Sequence, residues 1–263
     1  MRKYLSVMRI AWGVAREHAV DFFGRFLIFP ISILLLYLIW NVVFSFTPDI
    51  GGFSMKTMIN YYLAVSLMIL SYRRFWAIHY NVFSDINEGN LSIYLARPID
   101  YQFQWLARMV ATLSINVLFT LPVLVISSFL MQLPLPNLMS LLLFFISIYL
   151  SAAVLFFIQF CIGTLSFWTE RIFATRDLLL NIQSLFSGAI VPLAVFPSIV
   201  QEISNYLPFR SIYFVPASIY AGYFSNIEAL YNLGIQVFWV FCLFVLSRSF
   251  FNKGLVKFDA KGG

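Results

Sequence analysis

The sequence contains little charge: 11% of its 263 residues are Asp, Glu, Lys or Arg, whereas 61% are hydrophobic. A soluble domain usually has about 25% charged and roughly 45–50% apolar residues. A soluble fold of the present composition would expose large apolar patches and aggregate. The shortage of charge therefore excludes an ordinary soluble protein and favours an integral membrane protein, whose outer faces are solvated by lipid.

Residues for catalysis, metal binding and nucleotide hydrolysis are also scarce. The two histidines, His18 and His79, have no Cys, His or carboxylate partner at metal-ligand spacing. The sequence has neither a G-x-x-x-x-G-K-[ST] phosphate loop nor a G-x-S-x-G nucleophile elbow. Cys161 and Cys242 lie in apolar runs, which favours buried thiols over a disulfide. We therefore expect no catalytic residue, no metal and no cofactor on this chain.

Long apolar runs predict six transmembrane helices, each close to the roughly 20 residues that a bilayer requires. The predicted spans are 26–46, 57–72, 109–131, 138–160, 178–195 and 230–246. Their centres lack Asp, Glu, Lys and Arg, which argues against a proton-driven pump. Residues 1–25 repeat apolar side chains at helical spacing and predict an amphipathic interfacial helix. The predicted fold class is all-α integral membrane, with a single transmembrane domain over 1–263.

The positions of lysine and arginine predict the orientation of these spans. Of the 17 basic residues, all except Lys56 and Arg210 fall on one side of the membrane if the number of spans is even. The segments on that side are 1–25, 73–108, 169–177 and 248–263. Both termini are therefore predicted to be cytoplasmic. Because the net charge of +6 is spread along the span ends, anionic lipid head groups are a better counter-charge than nucleic acid.

Two stretches between the spans carry glycines and prolines that break helices. The first is Asp85-Ile86-Asn87-Glu88-Gly89-Asn90-Leu91, followed by Leu95-Ala96-Arg97-Pro98-Ile99. The second contains Ser187-Gly188, Pro192-Leu193, Phe196-Pro197, Leu207-Pro208-Phe209, Pro216 and Gly222. Backbone groups freed at membrane depth must be satisfied by protein or by a wet cavity. Short re-entrant or interfacial helices over 196–227 meet this demand, with an ordinary outer loop as the alternative.

Together the two stretches resemble the membrane subunits of ABC exporters of the type-2 permease family. The shared features are a glycine, a leucine and an arginine-proline pair after the second span, and the serine-glycine and proline pattern around the fifth. The resemblance covers nearly the whole chain. It implies a bacterial inner-membrane protein that pairs with a second permease copy or a paralogous permease. It also implies two copies of a separate cytoplasmic ABC ATPase, which would carry the ATP and Mg.

The resemblance also implies roles for particular residues. A cytoplasmic coupling segment over 81–105 would contact the ATPase through Asp85, Glu88, Gly89, Arg97 and Pro98, with Asp100 beside them. An outer gate would be formed by Gly188, Pro192, Pro197, Pro208, Phe209 and Gly222. The alternative for the coupling segment is a solvated loop. For Glu170, Arg171 and Arg176, positive-inside anchoring is favoured over a second ATPase contact.

The resulting functional prediction is the permease subunit of an ATP-driven exporter that moves a hydrophobic, amphipathic or lipid-linked substrate. Two alternatives stay open. One is an integral-membrane scaffold or assembly factor that transports nothing, which the absence of an ATPase partner would favour. The other is an intramembrane enzyme, which a paired carboxylate or a histidine cluster in one cavity would favour.

Overall fold

The structure is a computed structural model that describes residues 28–169 and 172–259. The predicted amphipathic helix at 1–25 and the residues Glu170 and Arg171 lie outside the described residues. Within them the α-helices are α1 (Ile28–Phe46), α2 (Met55–Tyr72), α3 (Ile78–Asn87), α4 (Asn90–Leu95), α5 (Tyr101–Leu130), α6 (Leu138–Thr164), α7 (Ile172–Phe186), α8 (Ser198–Asn205), α9 (Phe214–Ala221) and α10 (Asn226–Asp259). Short 3₁₀ helices cover Phe75–Ala77, Leu165–Phe167, Leu193–Val195 and Pro208–Ser211.

Three helices of the described part are long and apolar enough to cross a membrane: α5, α6 and α10. They contain 30, 27 and 34 residues, which correspond to roughly 40–50 Å at about 1.5 Å per residue. The all-helical prediction and the membrane-protein class are thereby confirmed. A helix also overlaps each of the other predicted spans, in α1, α2 and α7. The count of six crossings and the cytoplasmic termini stay predictions.

Helix α6 is the centre of the bundle. It packs against α10, α3 and α9, while α2 packs against α5, α9 and α1. In the most apolar window of α6, 61% of the residues are buried, against 28% in α10. The exposed side chains of α10 include Phe238, Phe241 and Val245, and those of α1 include Leu35 and Ile39. These outward apolar faces suit lipid or a partner helix better than water.

Buried amides and hydroxyls fix the register of the long helices. Gln102 of α5 donates to Ser247 Oγ of α10 at 2.6 Å, and His79 and Gln159 share a hydrogen bond of 2.9 Å between α3 and α6. Polar groups inside a membrane bundle must find partners in the protein, because lipid offers none. Sliding one helix along another would leave these groups unpaired, so the pairs select one arrangement of the bundle.

Two helix boundaries differ from the predicted spans, for identifiable reasons. Helix α5 begins at Tyr101 and not at 109, because Asp100 caps it by accepting a hydrogen bond from Phe103 N at 3.1 Å. Helix α7 covers Ile172–Phe186, whereas the span was predicted at 178–195. Its apolar run continues, but Gly188 has φ +79°, which ends the helix.

The helices place the two glycine and proline stretches at opposite ends of the bundle. At one end, named here the Asp85 end, α3, α4 and the start of α5 meet the last turns of α10. At the other, named the Gly188 end, the start of α2 meets α9 and the segment 187–195. Tyr101 lies at the first end, and Ser128, which contacts the Tyr220 hydroxyl, at the second. Twenty-seven residues of α5 separate them, or roughly 40 Å.

Candidate functional site

At the Asp85 end, Asp85 itself is buried, with 8% of its surface exposed. The Tyr101 hydroxyl donates to Asp85 Oδ2 at 2.6 Å, and the Tyr101 ring stacks on Phe251 at 5.3 Å between centroids. Burial raises the pKa of the Asp85 carboxyl, and the hydrogen bond from Tyr101 opposes that shift. Asp85 therefore ties α3 to α5 inside the fold and does not lie on the surface that a partner would contact.

The neighbouring coupling residues do lie on the surface. Glu88, Gly89, Arg97 and Pro98 are all exposed. Gly89 has φ +78°, so the chain turns sharply between α3 and α4, and no atom lies within 4 Å of the position of an added Cβ. A residue with a Cβ would be strained at this φ. The glycine thus forms an open corner between α3 and α4.

Helix α4 exposes two apolar side chains to which the sequence analysis assigned no role. Ile93 is 56% exposed and Leu95 is 41% exposed, although both belong to a segment predicted to lie outside the membrane. The Arg97 guanidinium lies 5.3 Å from the centroid of the Tyr94 ring, close enough for a cation–π contact. Exposed aliphatic and charged groups therefore lie together in and beside α4, whose Leu91 is buried in the core. The sequence signal was the pair of aliphatic residues themselves, between Asn90 and Arg97.

Two further charged residues of this region are engaged within the chain. Asp100 caps α5, and its Oδ2 lies 2.5 Å from Arg248 Nη1 of α10. Arg176 of α7 contacts the adjacent Asp177 at 2.5 Å. Asp100 therefore supports the start of α5, where an acidic group also favours the helix dipole. Its predicted place in a docking surface is not supported by this pairing.

At the Gly188 end, Gly188 lies in a tightly packed corner. The Tyr61 hydroxyl donates to the Gly188 carbonyl at 2.6 Å, and Phe214 N donates to the Ser187 carbonyl at 2.9 Å. An added Cβ at Gly188 would lie 2.7 Å from Tyr61 Oη and 2.8 Å from Phe214 Cβ. The Tyr62 hydroxyl donates to the Ile190 carbonyl at 2.9 Å. Tyrosines of α2 therefore satisfy the backbone that α7 releases where it ends.

The predicted gate prolines lie at the starts of short helices. Pro192 is buried directly before the 3₁₀ turn Leu193–Val195, and Pro197 precedes α8. Pro208 is the first residue of the turn Pro208–Ser211, which also contains the half-buried Phe209. Proline suits such positions because its fixed φ and missing N–H cost nothing at a helix start. Gly222, with φ +74°, ends α9.

Helix α8 has its apolar side outward. Ile199 and Ile203 are 69% and 46% exposed, whereas Ser204 on the other side is 1% exposed. Gln201 donates to the carbonyls of Ala194 and Phe196 at 3.1 and 2.8 Å. This is the reverse of a soluble helix and is the pattern expected at a membrane interface. Short helices are present within 196–227: α8 has an outward apolar face, whereas α9 is buried along its whole length.

The sequence reasoning missed most of the residues that hold this end together. Besides Tyr61 and Tyr62, the ring of Phe53 stacks on that of Tyr223 at 4.2 Å with the planes 7° apart. An added Cβ at Gly51 would lie 2.4 Å from the Ala194 carbonyl oxygen. The available signal was the Gly51-Gly52 pair, which fits a close backbone approach. The tyrosines gave no separate signal in a chain with 14 of them.

The chain matches the family described as "ABC-2 family transporter protein" over residues 31–262. The matched range contains both ends of the bundle and all helices from α2 to α10. The chain belongs to the ABC-2 transporter family. No curated protein matches it significantly.

Membership in the ABC-2 family explains the chemistry of the two ends. ABC-2 permeases are multi-pass membrane subunits that work with an ABC ATPase and are not catalytic themselves. In the described part of this ABC-2 permease, no group of three or more His, Cys, Asp or Glu side chains is arranged to hold a metal ion. The described residues form an exposed segment with charged and aliphatic side chains at one end and a hydrogen-bonded cap at the other.

Proposed function

We propose that this chain is the permease subunit of an ATP-driven exporter in the bacterial inner membrane. A separate cytoplasmic ABC ATPase, in two copies per complex, would supply the energy. A second copy of this chain, or a paralogous permease, would complete the translocation path. The substrate class we propose is hydrophobic, amphipathic or lipid-linked, because the predicted span centres carry no charged residues that would stabilise an ion.

The observation that carries the proposal is the exposed segment from Glu88 to Pro98. The turn at Gly89 is open, and α4 exposes Ile93 and Leu95 beside the charges of Glu88 and Arg97. Exposed aliphatic residues outside the membrane are costly in water unless another protein covers them. An ATPase that receives this segment in a groove would bury them and pair with the flanking charges.

The buried contacts behind the segment favour transmission of movement. Asp85 and Asp100 connect α3 and the start of α5 to each other and to Arg248 of α10. A force applied at α4 would therefore reach α5 and α10, two of the three long apolar helices. Packed helices respond to such a force by shifting as rigid bodies, which is how domain movements are generally produced. At the far end of α5, Ser128 contacts Tyr220 of α9 in the proposed gate.

The test is purification of the tagged chain from native membranes in mild detergent, with ATPase activity measured on the complex. We expect a P-loop ATPase in about equal stoichiometry, with activity that vanadate inhibits. Reconstitution of that complex in vesicles should then give ATP-dependent movement of an amphipathic fluorescent probe. A chain that purifies alone and inactive in several detergents would contradict the exporter and favour the scaffold.

A further inference from the structure

The Gly188 end contains a cavity of about 250 Å³ that the coupling mechanism does not use. It lies between α8, the turns 193–195 and 208–211, the start of α9 and the residues that connect α9 to α10. Its polar lining comes from Gln201, Ser204, Asn205, Arg210 and Tyr223. Asn205 is exposed, so the cavity reaches the surface on the side of α8. Arg210 is the one charged residue among those that line it.

Arg210 is unusual in its position. It is one of the two basic residues that the positive-inside pattern assigns to the outer side, and Lys56, the other, is exposed. Arg210 is half-buried, and its guanidinium lies 5.4 Å from the centroid of the Phe214 ring. A cation in such a place costs free energy that an exposed one does not.

The partners of Arg210 are all neutral. Its Nη1 donates to Asn205 Oδ1, and its Nη2 donates to Asn232 Oδ1 at 3.1 Å. Its Nε is buried and has no acceptor. Among the described residues, no carboxylate lies within ion-pair distance of it; Glu228 instead accepts hydrogen bonds from Ser225. The Arg210 guanidinium therefore lines the cavity as a half-buried positive charge without a counter-ion, and each Nη keeps a second N–H that no described residue accepts.

Most other donors of the cavity are already in use. Gln201 Nε2 donates to two carbonyls, Ser204 Oγ donates to the Gln201 carbonyl, and the Tyr223 hydroxyl donates to the Gly51 carbonyl. The spare hydrogen-bonding capacity thus belongs to the guanidinium and to the amide nitrogen of Asn205, whose oxygen accepts from Arg210. The planar fork of the guanidinium fits the oxygens of a phosphate or a carboxylate. The cavity holds several times the volume of a water molecule, enough for such a group.

The surroundings of the cavity indicate what carries the oxyanion. Leu193, Phe214 and Phe224 form the apolar part of the cavity lining, and the Phe214 ring lies 5.4 Å from the Arg210 guanidinium. We propose that this cavity binds the oxyanion head group of an amphipathic molecule, with Arg210 as its charge partner and the adjoining apolar part against this wall. This is the chemistry of an anionic phospholipid. The inference concerns binding alone, so it stands or falls independently of transport.

The experiment measures thermal stability of the purified full-length chain in a neutral detergent. The probes are short-chain phosphatidylglycerol, short-chain phosphatidylcholine of the same chain length, and inorganic phosphate. We expect a saturable rise in Tm with phosphatidylglycerol, because a ligand that binds the folded state stabilises it. Phosphatidylcholine, whose charge is neutralised internally, should give a much smaller rise. An equal rise with inorganic phosphate would retain the anion site and overturn the amphipathic ligand.

Three variants locate the effect. Arg210→Gln should weaken phosphatidylglycerol binding roughly tenfold or more, the loss expected for a charge-assisted hydrogen bond. Lys56→Gln removes the same charge from an exposed position at the same end and should leave binding unchanged. Ala194→Leu keeps Arg210 but fills the cavity, so it should block binding even if Arg210→Gln does not fold. Undiminished binding in Ala194→Leu, or in folded Arg210→Gln, would overturn the proposal.

Discussion

The two ends of the bundle use the same backbone feature for opposite purposes. Gly89 and Gly188 have nearly the same positive φ, +78° and +79°. Around Gly89 an added Cβ would meet no atom within 4 Å, whereas at Gly188 it would contact Tyr61 and Phe214. The first glycine makes a corner in an exposed segment, and the second ends a helix inside a packed cap. The comparison shows that a positive φ alone does not tell whether a glycine makes a turn in an exposed segment or ends a helix inside a packed core.

The largest expected loss of stability comes from Gly188→Ala. Left-handed backbone costs an L-residue roughly 1–2 kcal/mol, and the contacts with Tyr61 and Phe214 add about 1–3 kcal/mol. Gly89→Ala is the matched control, because it carries the same backbone cost without the contacts. Apparent Tm and recovery of monodisperse protein in detergent measure both. Equal losses in the two variants would mean that packing at Gly188 does not matter.

Substitutions of exposed residues at the Asp85 end should change the activity of the complex and leave the stability of the fold nearly unchanged. Replacing Glu88 and Arg97 together by Gln removes two exposed charges. The free energy of unfolding should therefore change by no more than about 0.5 kcal/mol. If the segment docks on the ATPase, substrate should no longer stimulate ATP hydrolysis in the reconstituted complex. The control is Lys56→Gln with Glu202→Gln, an exposed pair at the opposite end. Normal stimulation in the first pair, or its loss in the control, would contradict the docking role.

A smaller, pH-dependent effect is expected for Tyr101→Phe. The variant keeps the stacking on Phe251 but removes the donor to Asp85, which costs about 1–3 kcal/mol while the carboxylate is charged. The pKa of Asp85 is already raised by burial, so its charged form destabilises the fold as the pH rises through that pKa. Losing the donor raises this pKa further. The loss in Tm should therefore be largest near about pH 8 and shrink on acidification.

The same variant in an Asp85→Asn background supplies the control for that pH dependence. Asparagine has no charge to lose, so Tyr101→Phe should then cost a similar amount at every pH. A pH-independent loss in the original background would show that the hydrogen bond to Asp85 is not the source of the effect.

The smallest effect is expected for Tyr62→Phe. Its hydroxyl donates to the Ile190 carbonyl in a half-buried position, so removal should cost about 0.5–1.5 kcal/mol. Tyr80→Phe is a suitable control, since Tyr80 is 55% exposed on α3 at the other end. A loss as large as that of Gly188→Ala would mean that Tyr62, and not the packing around Gly188, closes the cap.

The pattern of apolar runs predicted the helices well and their ends less well. Runs of apolar residues locate α1, α2, α5, α6 and α10, because a helix that is apolar on all sides gives a strong signal. The signal failed for α7, whose apolar run continues past Phe186 while its hydrogen bonding does not. The end of that helix depends on Gly188 and on hydrogen bonds that the Tyr61 and Tyr62 hydroxyls donate to the Gly188 and Ile190 carbonyls, from more than 120 positions away in the chain.

For the candidate sites, too, the sequence predicted some positions correctly and others only the tertiary structure could place. Glu88, Gly89, Arg97 and Pro98 were predicted and lie together on the surface. Asp85 was predicted with them but is buried, where the hydroxyl of Tyr101 from the following long helix bonds to it. No local pattern distinguishes a carboxylate that faces solvent from one that a later helix will bury. The same holds for Arg210, whose sequence neighbours give no sign of the cavity beside it.

By itself, the sequence determined that this chain is a helical membrane protein of the ABC-2 type, since composition, apolar runs and the glycine and proline stretches are local properties that survive without contacts. Only the tertiary structure decided which of those residues are exposed, which are buried and which face a cavity. The physical reason is that burial and hydrogen bonding depend on groups far apart in the chain, as Tyr61 and Gly188 show. Such partners come together only when the helices have packed.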